Sequence, residues 1–428
     1  MTLAIIWVNY VRCPDLLHSP RFWAEEGTVY FSYAYSHSWI DNLITPHFGY
    51  YTLYNSLVTS FAATFPLDIA PLVTTYLAFA IQVLASFLVI WGEMPILDSP
   101  LKKFTVAISI PLLSFERIWL TTIGVQYWFC IITFFILLGD ASPRKRIADY
   151  LKGAMLVMTG LTGVLSCFMT PAYLYRYVKS RSKKYAIYSA ILGACSIIQI
   201  AVFVHAYIKH DPEIAHRLVH NNPIHLINKT IMFQFAVPFF GVLVFQSPTV
   251  LSISNKIDVI IIRLFGSSIF DSEMELLGVL AGIYVLIYLI RISIKKLNDI
   301  NSQLIVLSFI LVFILSTLLS LNMSGGPRYT FAPSIMILVY LISSWDNNCF
   351  DRFFKLSTKM MVILSLATHG LQYPVTMNLE GATAYSKAWP SWKDELFVWN
   401  KDNNYHLKIW PQPWEMTLQK QKCTRGGK

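Results

Sequence analysis

Apolar residues in this chain come in blocks, most of them roughly 12 to 25 residues long, with almost no lysine, arginine, aspartate or glutamate inside. Strong blocks cover 69–91, 104–115, 120–138, 153–177, 185–207, 276–290, 304–321, 330–342 and 360–367, with weaker ones at 51–65 and 231–245. The hydrocarbon core of a bilayer takes about 20 residues of helix, so the pattern predicts membrane spans. The first stretch, 3–11, is shorter than a span and is followed by no cleavage signal. It predicts either an oblique anchor or the end of a truncated first helix, which leaves the start of the chain in question. No repeat of 20–50 residues, low-complexity tract or inverted pair of halves stands out.

Composition sets the limits. Of 428 residues 55% are apolar and 14% charged, where a soluble domain carries roughly a quarter charged. About 235 apolar residues, at about 20 per span, allow at most about 11 crossings. Disorder, a disulfide-stapled secreted module and a coiled coil are excluded together. The expected fold is an all-α polytopic membrane protein with roughly 9–11 transmembrane or re-entrant helices.

The charge balance is 34 basic against 24 acidic residues, a net +10, and its placement matters more than its size. Half of the basic residues fall in five linkers: Lys102 and Lys103; Arg144, Lys145, Arg146 and Lys152; Arg176, Lys179, Arg181, Lys183 and Lys184; Arg291, Lys295 and Lys296; Arg352, Lys355 and Lys359. Basic short loops mark the cytoplasmic side, so all five are placed there, and no nucleic-acid partner is implied. This requires 51–65 to be interfacial or re-entrant and 231–245 to dip into the outer leaflet and return. The block 153–177 has basic clusters at both ends and is broken by Gly160, Gly163 and Pro171. It reads as a hairpin that enters and leaves on the cytoplasmic side, with its broken backbone buried in protein or lining a wet cavity.

Residues 1–370 then form a membrane domain with outer segments at 12–50, 208–275 and 322–329, and 371–428 form an outer, Trp-rich segment. The cysteines Cys13, Cys130, Cys167, Cys195, Cys349 and Cys423 are scattered, with no CxxC, and suggest no redox or zinc site.

Candidate chemistry lies in the outer segments. Glu25 and Glu26 are adjacent and bracketed by aromatics. Each carboxylate raises the proton affinity of the other, so one can serve as a general base while its neighbour orients it or a substrate hydroxyl. The plainer alternative is a solvated pair at a helix N-terminus. In Ser324-Gly325-Gly326-Pro327-Arg328-Tyr329, the glycines allow close approach and Arg328 offers a fork that matches phosphate oxygens. Alternatively, Arg328 snorkels to headgroups. Trp389, Trp392, Trp399, Trp410 and Trp414 suit either sugar stacking or an interfacial aromatic belt. Gln126, beside Trp128, could line a pocket or pack helices. His216 and His220 are four apart, a weak zinc signal outweighed by a surface role. The adjacent carboxylates could hold Mg²⁺ with substrate oxygens, though the spacing demands no metal or other cofactor.

The phrase Phe22-Trp23-Ala24-Glu25-Glu26-Gly27, followed by Gly49-Tyr50, is similar to the Phe-x-Ala-Glu-Asp-Gly and Gly-Tyr pattern of GT-C class integral-membrane glycosyltransferases. The matching members are those of bacteria and phages that use a polyprenyl-phosphate sugar. The tail Ile409-Trp410-Pro411-Gln412-Pro413-Trp414 fits the same members. Size and layout further resemble the serotype-converting O-antigen glucosyltransferases of temperate phages.

The resemblance implies inverting transfer of a hexose, glucose in those members, from a polyprenyl-phosphate donor to a glycan such as lipopolysaccharide O-antigen. The reaction is placed on the periplasmic face of the bacterial inner membrane, with membrane lipids around the protein. Glu25 holds the position of the first acid and is the first candidate for the base, with Glu26 positioning the acceptor. Glu26 stands where aspartate is usual, so the order of roles in the pair stays open. Arg328 would neutralise the departing phosphate, and Tyr329, Gln126, Trp128, Trp389, Trp392, Trp410 and Trp414 would line the site. A ligase or polymerase of lipid-linked glycans, or a transporter or flippase, remains as an alternative. The uncharged spans 120–138 and 304–321 favour surface chemistry over translocation.

Overall fold

The computed structural model describes the chain except residues 13, 115–117, 140–145, 211–222, 266–272, 297, 319–326, 347–348, 380–390, 403 and 419–428. It is mostly helical. The strands among the described residues are one short antiparallel pair, Leu407–Lys408 with Glu415–Met416.

Among the described residues four helices are long and apolar enough to cross a membrane: Ala70–Trp91, Lys183–Ile208, Leu276–Lys296 and Ile300–Leu318. Ile187, Ile197 and Ile200 on the second of these are exposed, which in water would be costly but in hydrocarbon is not. The protein is thus an all-α membrane protein. Other apolar blocks form shorter helices. Pro100–Leu113 and Val125–Leu138 have 14 residues each, about 21 Å at helical rise, against the ~30 Å of a bilayer core. Every residue of Val125–Leu138 except Gln126 is buried, as expected of a helix that is apolar all round and sits at the centre of a bundle. Most of Arg328–Ser343 packs beside it, with Phe331 against Trp128.

Leu53–Ala62 has ten residues and at about 15 Å is too short to cross, in keeping with an interfacial 51–65. The 231–245 stretch is broken into Met232–Ala236, Val237–Phe240 and Val242–Phe245, with Gly241 at φ 70°. Arg352–Leu379 absorbs the 360–367 block into a 28-residue helix, so a boundary drawn at residue 370 falls inside it.

The 153–177 block is two helices, Arg146–Gly160 and Thr170–Ser180, joined by a short 3-10 turn, Cys167–Met169. Both pack on Lys183–Ile208. Asp149 meets Lys184, Gly160 meets Cys195 and Gly163 meets Gln199, so the first helix runs parallel to it. Thr170 meets Ser196 and Arg176 meets Tyr185, so the second runs antiparallel. Residues 146 and 180 therefore lie at one end, as in a hairpin.

The described basic linkers meet at that end. Lys184 pairs with Asp149 (2.7 Å), Lys102 pairs with Asp98 (2.9 Å) and Asp346 (3.0 Å), and Tyr175 donates to Gln303 (2.6 Å).

Candidate functional site

At the opposite end the first long loop is held in place by the C-terminal segment. Trp23 forms a parallel bridge with Trp410. The Trp410 N–H donates to the Phe22 carbonyl (3.0 Å), and the Ala24 N–H donates to the Trp410 carbonyl. Ala24 then takes the left-handed conformation, φ 43°, which non-glycine residues adopt at a cost. The chain continues into a π-helix, Glu26–Phe31, a form found mostly as short bulges and often at functional sites.

The two glutamates part here. Glu25 is half-buried and lines a cleft of about 140 Å³. Glu26 is 1% exposed and does not line it. Its Oε1 accepts from the Thr122 N–H (3.0 Å) and hydroxyl (2.7 Å), and its Oε2 accepts from the Trp23 N–H (3.1 Å). Burial pushes the Glu26 carboxyl above its ordinary value, and the Thr122 and Trp23 bonds offset part of that shift. Burial, rather than mutual repulsion between adjacent acids, thus sets the Glu26 proton affinity. With both Glu26 oxygens taken by donors, a Mg²⁺ chelate between the two carboxylates does not fit. Among the described residues no group of three or more His, Cys, Asp or Glu could hold a metal ion.

The cleft also receives Arg328 and Tyr329 from the first turn of Pro327–Ser343, Gln126 and Tyr127 from the start of Val125–Leu138, and Gly49 and Tyr50 from the first loop. Arg328 donates to the Tyr329 hydroxyl (3.1 Å), with its guanidinium 5.0 Å from that ring's centroid. Tyr329 meets Tyr127 edge to face at 6.1 Å. A guanidinium at a helix N-terminus makes this wall favourable to an anion. The loop wall turns at His47–Tyr50, where Phe48 and Gly49 have φ 56° and 76°. His47 stacks edge-on against Tyr30 (5.1 Å), and burial lowers its proton affinity.

The hairpin tip completes the cleft through Val164, Leu165 and Phe168, while the glycines that break its backbone are buried in protein, Gly160 against Cys195 and Gly163 against Gln126. Gly163, φ +82°, lies so close to Gln126 that an added Cβ would sit 2.5 Å from Oε1. Gln199 fastens this tip to the loop. Its Oε1 accepts from the Tyr51 N–H (2.8 Å), and its Nε2 donates to the carbonyls of Tyr51 (3.0 Å), Gly160 (3.2 Å) and Gly163 (3.3 Å). Thr122 does not stand out from its sequence, and Gln199 does so only by its setting. A lone glutamine deep in an apolar span was the available signal, because such a residue needs partners inside protein.

Glu25, Gln126, Arg328 and Tyr329 therefore meet in one cleft, and the other described sequence candidates lie outside its lining. Trp128 is buried, donating to the Ile118 carbonyl (3.1 Å). Trp392 donates to the Leu67 carbonyl (2.9 Å) and packs on Phe22. Trp410 is buried behind the loop. Trp414 is 37% exposed but lies outside the cleft lining. Trp392 and Trp399 serve as scaffold here because the tail folds onto Phe22 and Phe31 to form a small core. Trp389, His216, His220 and Ser324-Gly325-Gly326 lie outside the described residues. No protein-family model, curated protein or solved structure matches the chain.

Proposed function

We propose that the protein is an integral-membrane glycosyltransferase of the GT-C kind. It transfers a hexose, glucose by resemblance, from a polyprenyl-phosphate donor to a glycan acceptor such as O-antigen, on the periplasmic face of a bacterial inner membrane. One observation carries the reading: a carboxylate from the first loop and a guanidinium from a helix more than 300 residues later line the same cleft.

Glu25 takes the proton of an acceptor hydroxyl as that oxygen attacks the anomeric carbon. The bond between anomeric carbon and phosphate oxygen breaks, and the lipid phosphate leaves with the electron pair. Its charge is met by Arg328 and the N-terminus of Pro327–Ser343. Attack opposite to the leaving group inverts the anomeric configuration. Glu26 acts at one remove, since its bonds to Trp23 and Thr122 fix the backbone around Glu25.

Membranes containing the protein, incubated with radiolabelled polyprenyl-phosphate glucose and acceptor glycan, test the class. Single-sugar transfer supports the proposal. Transfer of whole glycan blocks assigns a ligase or polymerase, and movement of label across the membrane without transfer assigns a flippase.

A further inference from the structure

A second cavity lies near the other end of the bundle. Leu276–Lys296, Ile300–Leu318 and Arg328–Ser343 leave between them a crevice of about 290 Å³. Leu286, Ile290, Ile305, Phe309 and Ile337 make its wall apolar. Its polar end is formed by Ser293 and Tyr340. The buried Tyr340 hydroxyl lies beside Ser293 without a hydrogen bond of ordinary geometry.

Lys296 stands at this end, its ammonium 5.1 Å from the centroid of the Tyr340 ring. A lysine that ends a span usually snorkels to the headgroups. Lys296 instead turns inward, 6% exposed, and donates to the hydroxyls of Ser343 (3.0 Å) and Ser344 (3.2 Å). Among the described residues no carboxylate forms an ion pair with it. Asp299 is nearby, but its carboxylate caps the next helix by accepting from Ser302 N–H (2.9 Å) and hydroxyl (2.7 Å). Lys102 is already paired with Asp98 and Asp346. The Lys295 ammonium lies 5.5 Å from the Phe350 ring and adds positive charge.

A buried cation without an acid partner, a tyrosine hydroxyl without an acceptor and an apolar slot leading away from both match a negatively charged head on a hydrocarbon tail. Basic pockets between spans suit anionic lipids in this way. We propose that this crevice binds an anionic phospholipid of the surrounding bilayer. One acyl chain lies along Ile290, Ile305 and Ile337, and a phosphate oxygen accepts from Lys296 and the Tyr340 hydroxyl. The site is separate from the Glu25 cleft, so it stands or falls independently of glycosyl transfer.

Native mass spectrometry of the full-length protein in detergent, titrated with phosphatidylglycerol and with phosphatidylcholine, tests this. The wild type should retain phosphatidylglycerol with about fivefold preference, as expected of about one lysine's contribution near a membrane surface. Lys296→Gln should bring the two lipids close to parity. Tyr340→Phe, which keeps the packing, should weaken phosphatidylglycerol retention, and Ile337→Trp, which fills the crevice, should reduce retention of both. Equal retention of the two lipids by the wild type overturns the proposal without any variant. A preference unchanged by Lys296→Gln, or full displacement of the lipid by glycerol 3-phosphate alone, overturns it as well.

Discussion

Between Glu25 and Glu26 the direction of the chain decides the chemistry. With Ala24 left-handed and a π-helix starting at Glu26, one carboxylate reaches the cleft and its neighbour is covered by protein. Glu25→Gln should lower transfer at least ~100-fold, the scale of a lost general base, with an unchanged thermal midpoint. Glu26→Gln should behave differently. An amide offers one accepting oxygen where the carboxylate uses two, so either Trp23 or Thr122 faces an N–H donor, at a cost of about 1–3 kcal/mol. Its thermal midpoint should fall. The Glu26 carboxyl is raised above 4.5 in the folded protein. Its contribution to stability is therefore fully present below that value and declines as pH rises through the folded value. The gap in midpoint between wild type and Glu26→Gln should narrow from acid toward neutral pH, which a thermal series across pH measures. The sequence marked Glu25, Gln126 and Arg328 because polar groups stand out among apolar neighbours. Adjacency carried no information about which glutamate turned inward, and Gln199 was hidden inside a strong span.

Among the elements, the C-terminal segment has the least local pattern and the widest reach. Its hairpin backbone pairs with residues 22–24, and its side chains share a core with Phe22 and Phe31. Such pairing across nearly the whole chain leaves no periodic trace, so five tryptophans read equally as a sugar platform or an aromatic belt. Gly27 marks where the two segments touch, since an added Cβ would lie 2.8 Å from Ile409 Cδ1 and 2.9 Å from Phe22 Cβ. Gly27→Ala should cost about 1–3 kcal/mol as overpacking does. Limited proteolysis should then release the tail faster than in the wild type, while the spans stay protected. The spans themselves were readable as blocks, but their lengths were not. Pro111 lies near the end of Pro100–Leu113, and Ser114 caps that helix. Protein rather than lipid surrounds Val125–Leu138, so it need not be long enough to span a bilayer.

At the scale of the whole molecule, positive charge gathers at one end and the cleft opens at the other. The cleft walls come from the first loop, the hairpin tip and the starts of two central helices, so the bundle fixes Glu25 and Arg328 relative to each other. Arg328→Ala should raise the KM for the lipid-linked donor more than tenfold, since a charge-assisted contact contributes about 1.5–3 kcal/mol, with the acceptor KM little changed. The central claim is that Glu25 is the base of a hexosyl transfer. It is tested most directly in proteoliposomes given radiolabelled polyprenyl-phosphate glucose and acceptor glycan, by comparing single-sugar transfer for the wild type and Glu25→Gln while donor binding is followed in parallel. Transfer by the wild type, lost in the variant with donor binding retained, is the predicted result; equal transfer by both proteins, or none by the wild type, contradicts it.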